Sequence, residues 1–277
     1  FGLENVLWFA NNKEDAHEEP TIKRSRSHDY VSKEVINVRE NVGLIEVANF
    51  SKHEFKGPDA RKFLDHIMAG RLPKPGRISL SPMLSYRGKL CGDLTVACLD
   101  ENEFMVFGSG AAQEMHRRWF ESHLDKFNLS YSNRSDEYHG LSIAGPNSRK
   151  VLEKIVRDDV SNEKFKFRDS RRMFVGGVPA IINRISFTGE LGYEIYVAPH
   201  YQLKLYEELM EAGKEFNIKP FGGRALMSMR LEKNWGAWTL DYRPDFTAKE
   251  TGLDAFINWD KEFIGKESAQ KENSSNK

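Results

Sequence analysis

The spacing of apolar side chains changes period along the chain, and the changes predict its elements. Gly57 to Ile67 (GPDARKFLDHI) places Phe63, Leu64 and Ile67, with Met68 beyond, on one helical face. Gly145 to Ile155 (GPNSRKVLEKI) does the same with Val151, Leu152, Ile155 and Val156. Proline after the glycine suits a first helical turn, where its missing N–H costs nothing. Strand-like runs precede both helices, at Leu44 to Phe55 and Leu141 to Ala144. More strands are predicted at Leu94–Leu99, Phe104–Phe107, Met173–Val175, Ala180–Ser186 and Tyr193–Val197, and helices at Ala112–Phe127, Tyr201–Phe216 and Gly222–Lys233. Strands and helices mixed without regular βαβ crossovers predict an α+β fold on antiparallel sheets.

The two Gly-Pro segments share a pattern: Gly-Pro, Asp or Asn, Arg-Lys, a Leu, an acid and an Ile. They start 88 residues apart, at Gly57 and Gly145, too far for a solenoid repeat. Two related α/β halves are the reading, against chance similarity of two short amphipathic helices.

Composition narrows this little. The 277 residues suffice for one large domain or two small ones. Charged residues make up 30% of the chain and balance to a net charge of +0, so nothing electrostatic favours a nucleic acid or membrane partner. No apolar run approaches the roughly 20 residues that span a bilayer. Cys91 and Cys98 fall on opposite faces of one predicted strand, which disfavours a disulfide between them. Free thiols suit a reducing compartment, the cytoplasm or, in a eukaryote, the mitochondrial matrix.

The ends differ from the middle. Phe1 to Phe9 (FGLENVLWF) is apolar and aromatic, and Asn11 to Arg26 is polar like a connector. Trp8 and Phe9 are expected to dock either on an upstream domain or on this same chain. The chain opens on Phe1 without a signal pattern, which suggests a segment of a longer protein. Glu267 to Lys277 loses periodicity and is expected to fray.

Three stretches could carry chemistry. In Tyr86 to Thr95 (YRGKLCGDLT), a tight turn leads to Asp93 at the expected start of a strand. A carboxylate there is a turn cap, or a general base beside an amine nucleophile. In Phe187 to Tyr196 (FTGELGYEIY), Tyr193, Ile195 and Val197 point one way while Glu194 and Tyr196 point the other. Glu194 is then a surface acid, or an acceptor of two adjacent N–H groups such as a pterin edge presents. In Met229 to Trp238 (MRLEKNWGAW), Arg230 and Glu232 are expected to form a salt bridge, and Trp235 and Trp238 to fill the core or line a flat cavity. No dinucleotide fingerprint, P-loop, H-E-x-x-H or paired C-x-x-C occurs, and no metal site is expected.

Taken in order, these segments resemble the aminomethyltransferase (glycine-cleavage T-protein) family, above all the folate portion of dimethylglycine and sarcosine dehydrogenases. The matching stretches are ENVLWF, KGPDARKFLDHI, PMLSYRGKLCGDLTV, GLSIAGPNSRKVLEKI, RISFTGELGYEIY, SMRLEKNWGAW and DKEFIGKE, from about Phe1 to Ala269. The resemblance implies an α+β fold with two related antiparallel-sheet and helix subdomains around a central folate opening, the family's third, C-terminal β domain being missing. It implies a connector from an upstream flavin domain over 1–34, a first subdomain over 35–138, a second over 139–222, a return to the first over 223–269, and a disordered tail over 270–277. It implies tetrahydrofolate as cofactor, with FAD only in the upstream domain of the same parent chain. The implied partners are an N-methyl-amine-derived one-carbon unit and that flavin domain, with neither nucleic acid nor membrane. It implies Asp93 as the catalytic carboxylate, folate contacts at Leu94, Thr95, Phe187, Glu194, Ile195 and Tyr196, and possible lining by Tyr86, Arg230 and Trp238.

Three departures stand out. T-proteins carry two aspartates after the glycine turn, whereas here Gly92 precedes Asp93, which favours the dehydrogenase branch. Ala255 stands where that branch often has an aromatic. The stretch Lys261 to Glu267 (KEFIGKE) lacks the cysteine of folate proteins used in iron–sulfur maintenance. The expected activity is capture of a methylene group from an oxidised dimethylglycine- or sarcosine-type amine as 5,10-methylenetetrahydrofolate. A demethylase or methyltransferase of the same fold, or a non-catalytic folate-binding module, are the alternatives.

Overall fold

A computed structural model describes residues 4–275; Phe1–Leu3 and the last two residues of the tail, Asn276 and Lys277, lie outside the described residues. In chain order the elements are α1 (His28–Glu40), β1 (Gly43–Glu46), β2 (Phe50–Lys56), α2 (Ala60–Ile67), β3 (Arg77–Leu84), β4 (Leu90–Asp100), β5 (Glu103–Ser109), α3 (Gln113–Glu121) and β6 (Ser130–Asn133). There follow β7 (His139–Ala144), α4 (Ser148–Ile155), β8 (Ser170–Val175), β9 (Val178–Asn183), β10 (Gly192–Val197), α5 (Gln202–Gly213), β11 (Lys219–Pro220), α6 (Gly223–Glu232) and α7 (Lys266–Ser275). The fold is α+β. Among the described residues no helix is long and apolar enough to cross a membrane.

The chain divides into two compact units. The first comprises the described part of Phe1–Ala48, with Tyr138–Phe167 and Arg172–Trp235; the second comprises Asn49–Glu137, Arg168–Arg171 and Gly236 to the described end. The strand run expected over Leu44–Phe55 is split between them, because Glu46 and Phe50 end different strands.

Unit 2 holds a five-stranded antiparallel sheet in the order β3-β4-β5-β2-β6. One face packs on α2 and α3 through Phe55, Phe63, Leu64, Ile67, Leu94, Val96, Phe104, Val106 and Phe120, all without solvent exposure. Strand alternation explains the split of β4: Leu94, Val96 and Cys98 point into this core, while Asp93 and Thr95 point to the other face; Cys91, at the register shift opposite Met83 and Leu84, packs against the core. Both cysteines are free. Helix α3 stops at Glu121, short of the expected Phe127, yet Leu124 and Phe127 still pack on the core from the following turns.

Unit 1 holds a six-stranded sheet in the order β11-β1-β7-β10-β9-β8. Pairing is antiparallel from β1 through β7 and β10 to β9, and parallel between β1 and β11. Leu141, Ile143, Tyr193, Ile195 and Val197 pack with Val151 and Leu152 of α4 and Leu205 and Leu209 of α5. The opposite face receives α1 and α6, whose Val38, Ala225 and Met229 meet Ala144 and Phe221. Residues 35–48 and 223–235 therefore belong with this unit, which differs from the expected 35–138 and 223–269 segments. The reason is that α1 and α6 bury each other's apolar sides.

The Gly-Pro repeats fold alike. Gly57 and Gly145 take φ of 135° and 132°, values that L side chains rarely adopt. Ala60 N–H donates to Gly57 O at 3.1 Å, and Ser148 N–H to Gly145 O at 3.0 Å. Each helix runs eight residues and ends with one capping bond, Met68 N–H to Leu64 O and Val156 N–H to Leu152 O. Three strands follow each helix, and each set lies beside the strand that preceded it.

At the N-terminal end, Trp8 is 8% exposed, with Arg224 stacked 5.0 Å from its ring. The docking surface for Trp8 is thus this same chain, while Phe9 stays exposed. The Glu34 carboxylate accepts from Phe9 N–H at 2.7 Å and Gly222 N–H at 2.9 Å, and Val6 and Leu7 carbonyls accept from the first turn of α6. These bonds satisfy helix donors that would otherwise be orphaned. The tail expected to fray from Glu267 is helical as α7 to Ser275. It is fastened by Ser268 Oγ to Tyr86 O at 2.8 Å and a Lys89–Glu272 ion pair, also at 2.8 Å.

Candidate functional site

The expected site residues fall into two groups, one in each unit. In unit 2, Asp93 lies three residues inside β4, not at its start, because pairing with β3 begins at Leu84–Leu90. Asp93 sits opposite Pro82, Thr95 opposite both Leu80 and Phe107. Asp93 is half-buried; burial pushes its carboxyl up to about 7, opposed by a bond from its own N–H. Thr95 is half-buried on the same face. The Leu94 side chain is fully in the helix-side core, which leaves only its backbone for any ligand on the Asp93 face.

Gly92 explains the missing second aspartate. Its Cα faces α3, and a Cβ there would lie 2.8 Å from His116 Nε2. His116 Nε2 is in turn 2.9 Å from Cys91 O, so the imidazole occupies the place of a side chain and tethers β4. The sequence carries no local signal for this role of His116, which depends on a contact between residues 25 positions apart.

Tyr86 and Trp238, expected as possible lining, are also in unit 2. Tyr86 is 65% exposed at the hairpin tip, its hydroxyl 2.7 Å from His123 Nε2 and its ring 5.4 Å from Trp119. Trp238 is half-buried, its ring 6.1 Å from that of His116.

In unit 1, Glu194 and Tyr196 share the face of β10 away from α4 and α5, as alternation predicts, while Ile195 is fully in the core. Tyr196 Oη donates to Glu194 Oε2 at 2.8 Å. Burial pushes Glu194 up to about 7; the Tyr196 hydroxyl and the Lys233 ammonium act against this. Across the sheet, Glu194 is opposite Ser142 and Asn183. The β9–β10 connection carries half-buried Phe187. Lys233, which the sequence did not single out, donates from Nζ to Ser186 O at 2.8 Å beside this group.

Arg230 is buried but does not pair with Glu232. Its Nη1 donates to Trp235 O at 3.0 Å, closing the exit of α6, while Glu232 pairs with Arg39 of α1. A helix places residues two apart on different sides, so the expected salt bridge had no geometry to form.

Each group thus presents a half-buried carboxylate poised near neutrality on a sheet face turned away from its core helices. Such an acid can exchange a proton, or accept N–H bonds, at physiological pH. The family model described as "GCVT N-terminal domain" matches residues 1–261. Mitochondrial dimethylglycine dehydrogenases of Mus musculus and Homo sapiens are each 35% identical over 271 residues, 96% of this chain and 31% of theirs. An aminomethyltransferase of Desulfitobacterium hafniense (strain Y51) is 30% identical over 240 residues, 85% of this chain and 65% of that protein. The chain therefore spans about a third of the length of its dehydrogenase relatives. The glycine cleavage system aminomethyltransferase T of Bartonella henselae has the same fold: TM-score 0.80 at 23% identity, over 89% of this chain and 67% of that one. The chain is a member of the GCVT N-terminal domain family, related to dimethylglycine dehydrogenase and to aminomethyltransferases.

Proposed function

We propose that this chain is a tetrahydrofolate-binding one-carbon transfer module that captures a methylene group from an oxidised N-methyl amine of the dimethylglycine or sarcosine type. The product is 5,10-methylenetetrahydrofolate, and a flavin domain of the same parent protein supplies the oxidation. The observation that supports this most is Asp93, a half-buried acid with a carboxyl near 7. That value suits a base which must take a proton from an amine and release it again at neutral pH.

The residues fit the cofactor. Glu194 has one oxygen held by Tyr196, and the other can accept from a pterin N–H. Phe187, half-buried in the β9–β10 connection, offers an aromatic surface. Tetrahydrofolate supplies the amine nucleophile. Asp93 removes the proton lost as the amine bonds to the electrophilic methylene carbon, and Thr95 borders it on the same strand face. Keeping both reactants on one protein replaces a bimolecular encounter and limits escape of formaldehyde.

The test uses the intact protein with its N-methyl amine substrate. Asp93→Asn is expected to lower methylene-folate formation by about 10²–10⁴-fold while folate affinity holds. Glu194→Gln is expected to weaken folate binding by about tenfold, the loss of one charge-assisted bond. Unchanged methylene-folate yield in Asp93→Asn would remove the proposed base.

A further inference from the structure

We infer that His116 is a positioning residue for Asp93: its imidazole, carried on α3, fixes the bulged stretch of β4 from which Asp93 projects. The inference rests on the reading of Asp93 as the base of the folate site. Between β3 and β4 the register shifts at this point. Gly92 faces Met83 and Leu90 faces Leu84, so Cys91 is an extra residue on β4 with no counterpart on β3. A bulge of this kind disrupts the ladder locally and re-aims the side chains beside it. Opposite Asp93 stands Pro82, whose carbonyl accepts from Ala69 N–H and so points away from β4. An antiparallel pair turned this way exchanges no backbone hydrogen bonds. On its other side β4 pairs with β5 from Thr95 to Asp100, beyond Asp93. The sheet ladders therefore hold the segment around Asp93 loosely, and a second hold is needed to fix its carboxylate.

His116 supplies that hold at the bulged residue itself. Its Nε2 is 2.9 Å from Cys91 O. A carbonyl only accepts, so the ring proton sits on Nε2 and the imidazole donates. The seat is cleared for the ring on two adjacent strands. A Cβ at Gly92 of β4 would lie 2.8 Å from Nε2, and one at Gly108 of β5 would lie 3.2 Å from Nδ1. His116 has no solvent exposure, and its Nδ1 has no hydrogen-bond partner among the described residues. A leucine or phenylalanine in this core would leave no such orphan. What the histidine adds over an apolar residue is the one N–H that reaches β4. That bond lies two residues from Asp93 on the same strand, so a shift at Cys91 is carried along the backbone to the carboxylate.

The experiment measures the rate of methylene-folate formation by the intact protein with tetrahydrofolate and dimethylglycine or sarcosine, beside calorimetric binding of tetrahydrofolate under anaerobic conditions. His116→Leu keeps apolar bulk without the N–H. It is expected to lower the rate by about 10–10²-fold, the loss that a misplacement of about 1 Å brings, while folate affinity holds. His116→Gln, whose amide reaches the Nε2 position, is expected to restore most of the rate. His116→Asn, whose amide stops near the Nδ1 position, is expected to restore none of it. Added to Asp93→Asn, His116→Leu is expected to cause no further loss, because the imidazole acts through the carboxylate. A merely structural role would add its loss in either background. The Gln and Asn variants carry the test where His116→Leu does not fold. Equal rates in His116→Gln and His116→Asn, or a full further loss in the Asp93→Asn background, overturn the inference while leaving Asp93 as the base. An unchanged rate in Asp93→Asn alone overturns the reading of Asp93 and this inference with it.

Discussion

In unit 2 the polar face of the sheet gathers around β4 at Asp93, and in unit 1 around β10 at Glu194. The two units share a layout, so their positions can be matched. Ala144, just before Gly145, pairs with Gly192; Lys56, just before Gly57, pairs with Glu103. Counted from these anchors, Glu194 corresponds to Met105 and Tyr196 to Phe107, while Asp93 corresponds to Pro179. Each half therefore carries its acid where the other has none. Both acids lie on the face opposite the helices α2 and α3, or α4 and α5. A duplicated scaffold offers the same free positions twice, and two different chemistries can be placed on it.

The strongest way to break the comparison is at the repeated turn. Gly57→Ala and Gly145→Ala each force a side chain into an unfavourable φ. The added Cβ would also meet backbone, 2.8 Å from Leu129 Cα at Gly57, and 2.5 and 2.6 Å from the carbonyls of Val38 and Asn41 at Gly145. Strain and overpacking together should cost about 3–5 kcal/mol. The loss should be greater at Gly145, where the contacts are shorter. Urea unfolding of the two variants measures it; a loss within error of zero at either site would mean the turns are not equivalent structural requirements.

The halves should also separate in acid. Among the described residues the two fully buried histidines, His53 and His116, both lie in unit 2, with ring centroids 6.2 Å apart. Burial depresses His53 to about 3 and His116 to about 4, and His116 further lowers the tendency of His53 to charge. The unfolded chain binds these protons near 6.5, so the stability they permit is intact above that pH and falls as pH drops toward 4. By about pH 4.5 the loss should reach about 2–3 kcal/mol for each imidazole. His116→Gln, which can still donate to Cys91 O, should flatten the acid limb of the urea midpoint. An unchanged acid limb would show that these imidazoles are not the groups being titrated.

How much of this was legible in sequence follows from the range of the interactions. The Gly-Pro repeat was readable because helix, cap and turn lie within eleven residues. Glu194 was placed on the correct face because alternation is local. Asp93 is expected at a strand start and lies inside β4, because Leu90 and Gly92 pair with Leu84 and Met83 of β3 across a register shift that the sequence pattern does not reveal. His116 over Gly92 and Lys233 on Ser186 were out of reach, since their partners are 25 and 47 residues away in sequence. The tail helix α7 departs from the expected fraying for a related reason. Its Glu, Lys and Ser residues show no apolar period, and its order comes from bonds to Tyr86 and Lys89. The family resemblance supplied roles for Asp93 and Glu194 that their individual patterns left as capping or surface acids.

The smallest effect is the one that compares the two acids directly. Burial raises Asp93 from 3.8 and Glu194 from 4.5, each to about 7. A raised folded-state value means the contribution to stability is full below the unfolded pKa and is lost as pH climbs through about 7. At pH 8 both carboxylates are therefore charged at some cost to the unliganded fold, partly relieved by solvent because neither is fully enclosed. Asp93→Asn and Glu194→Gln should each stabilise the protein at about pH 8 by about 1–2 kcal/mol, and by much less at about pH 4.5, where the native acids are already protonated. The gain should be smaller for Glu194→Gln, since Tyr196 and Lys233 already favour its charge, whereas Asp93 has only its own N–H to do so. Thermal unfolding of both variants at the two pH values decides the matter. Equal gains would mean that Lys233 contributes no effective charge at Glu194, and a gain independent of pH would mean that desolvated charge is not the origin of the cost.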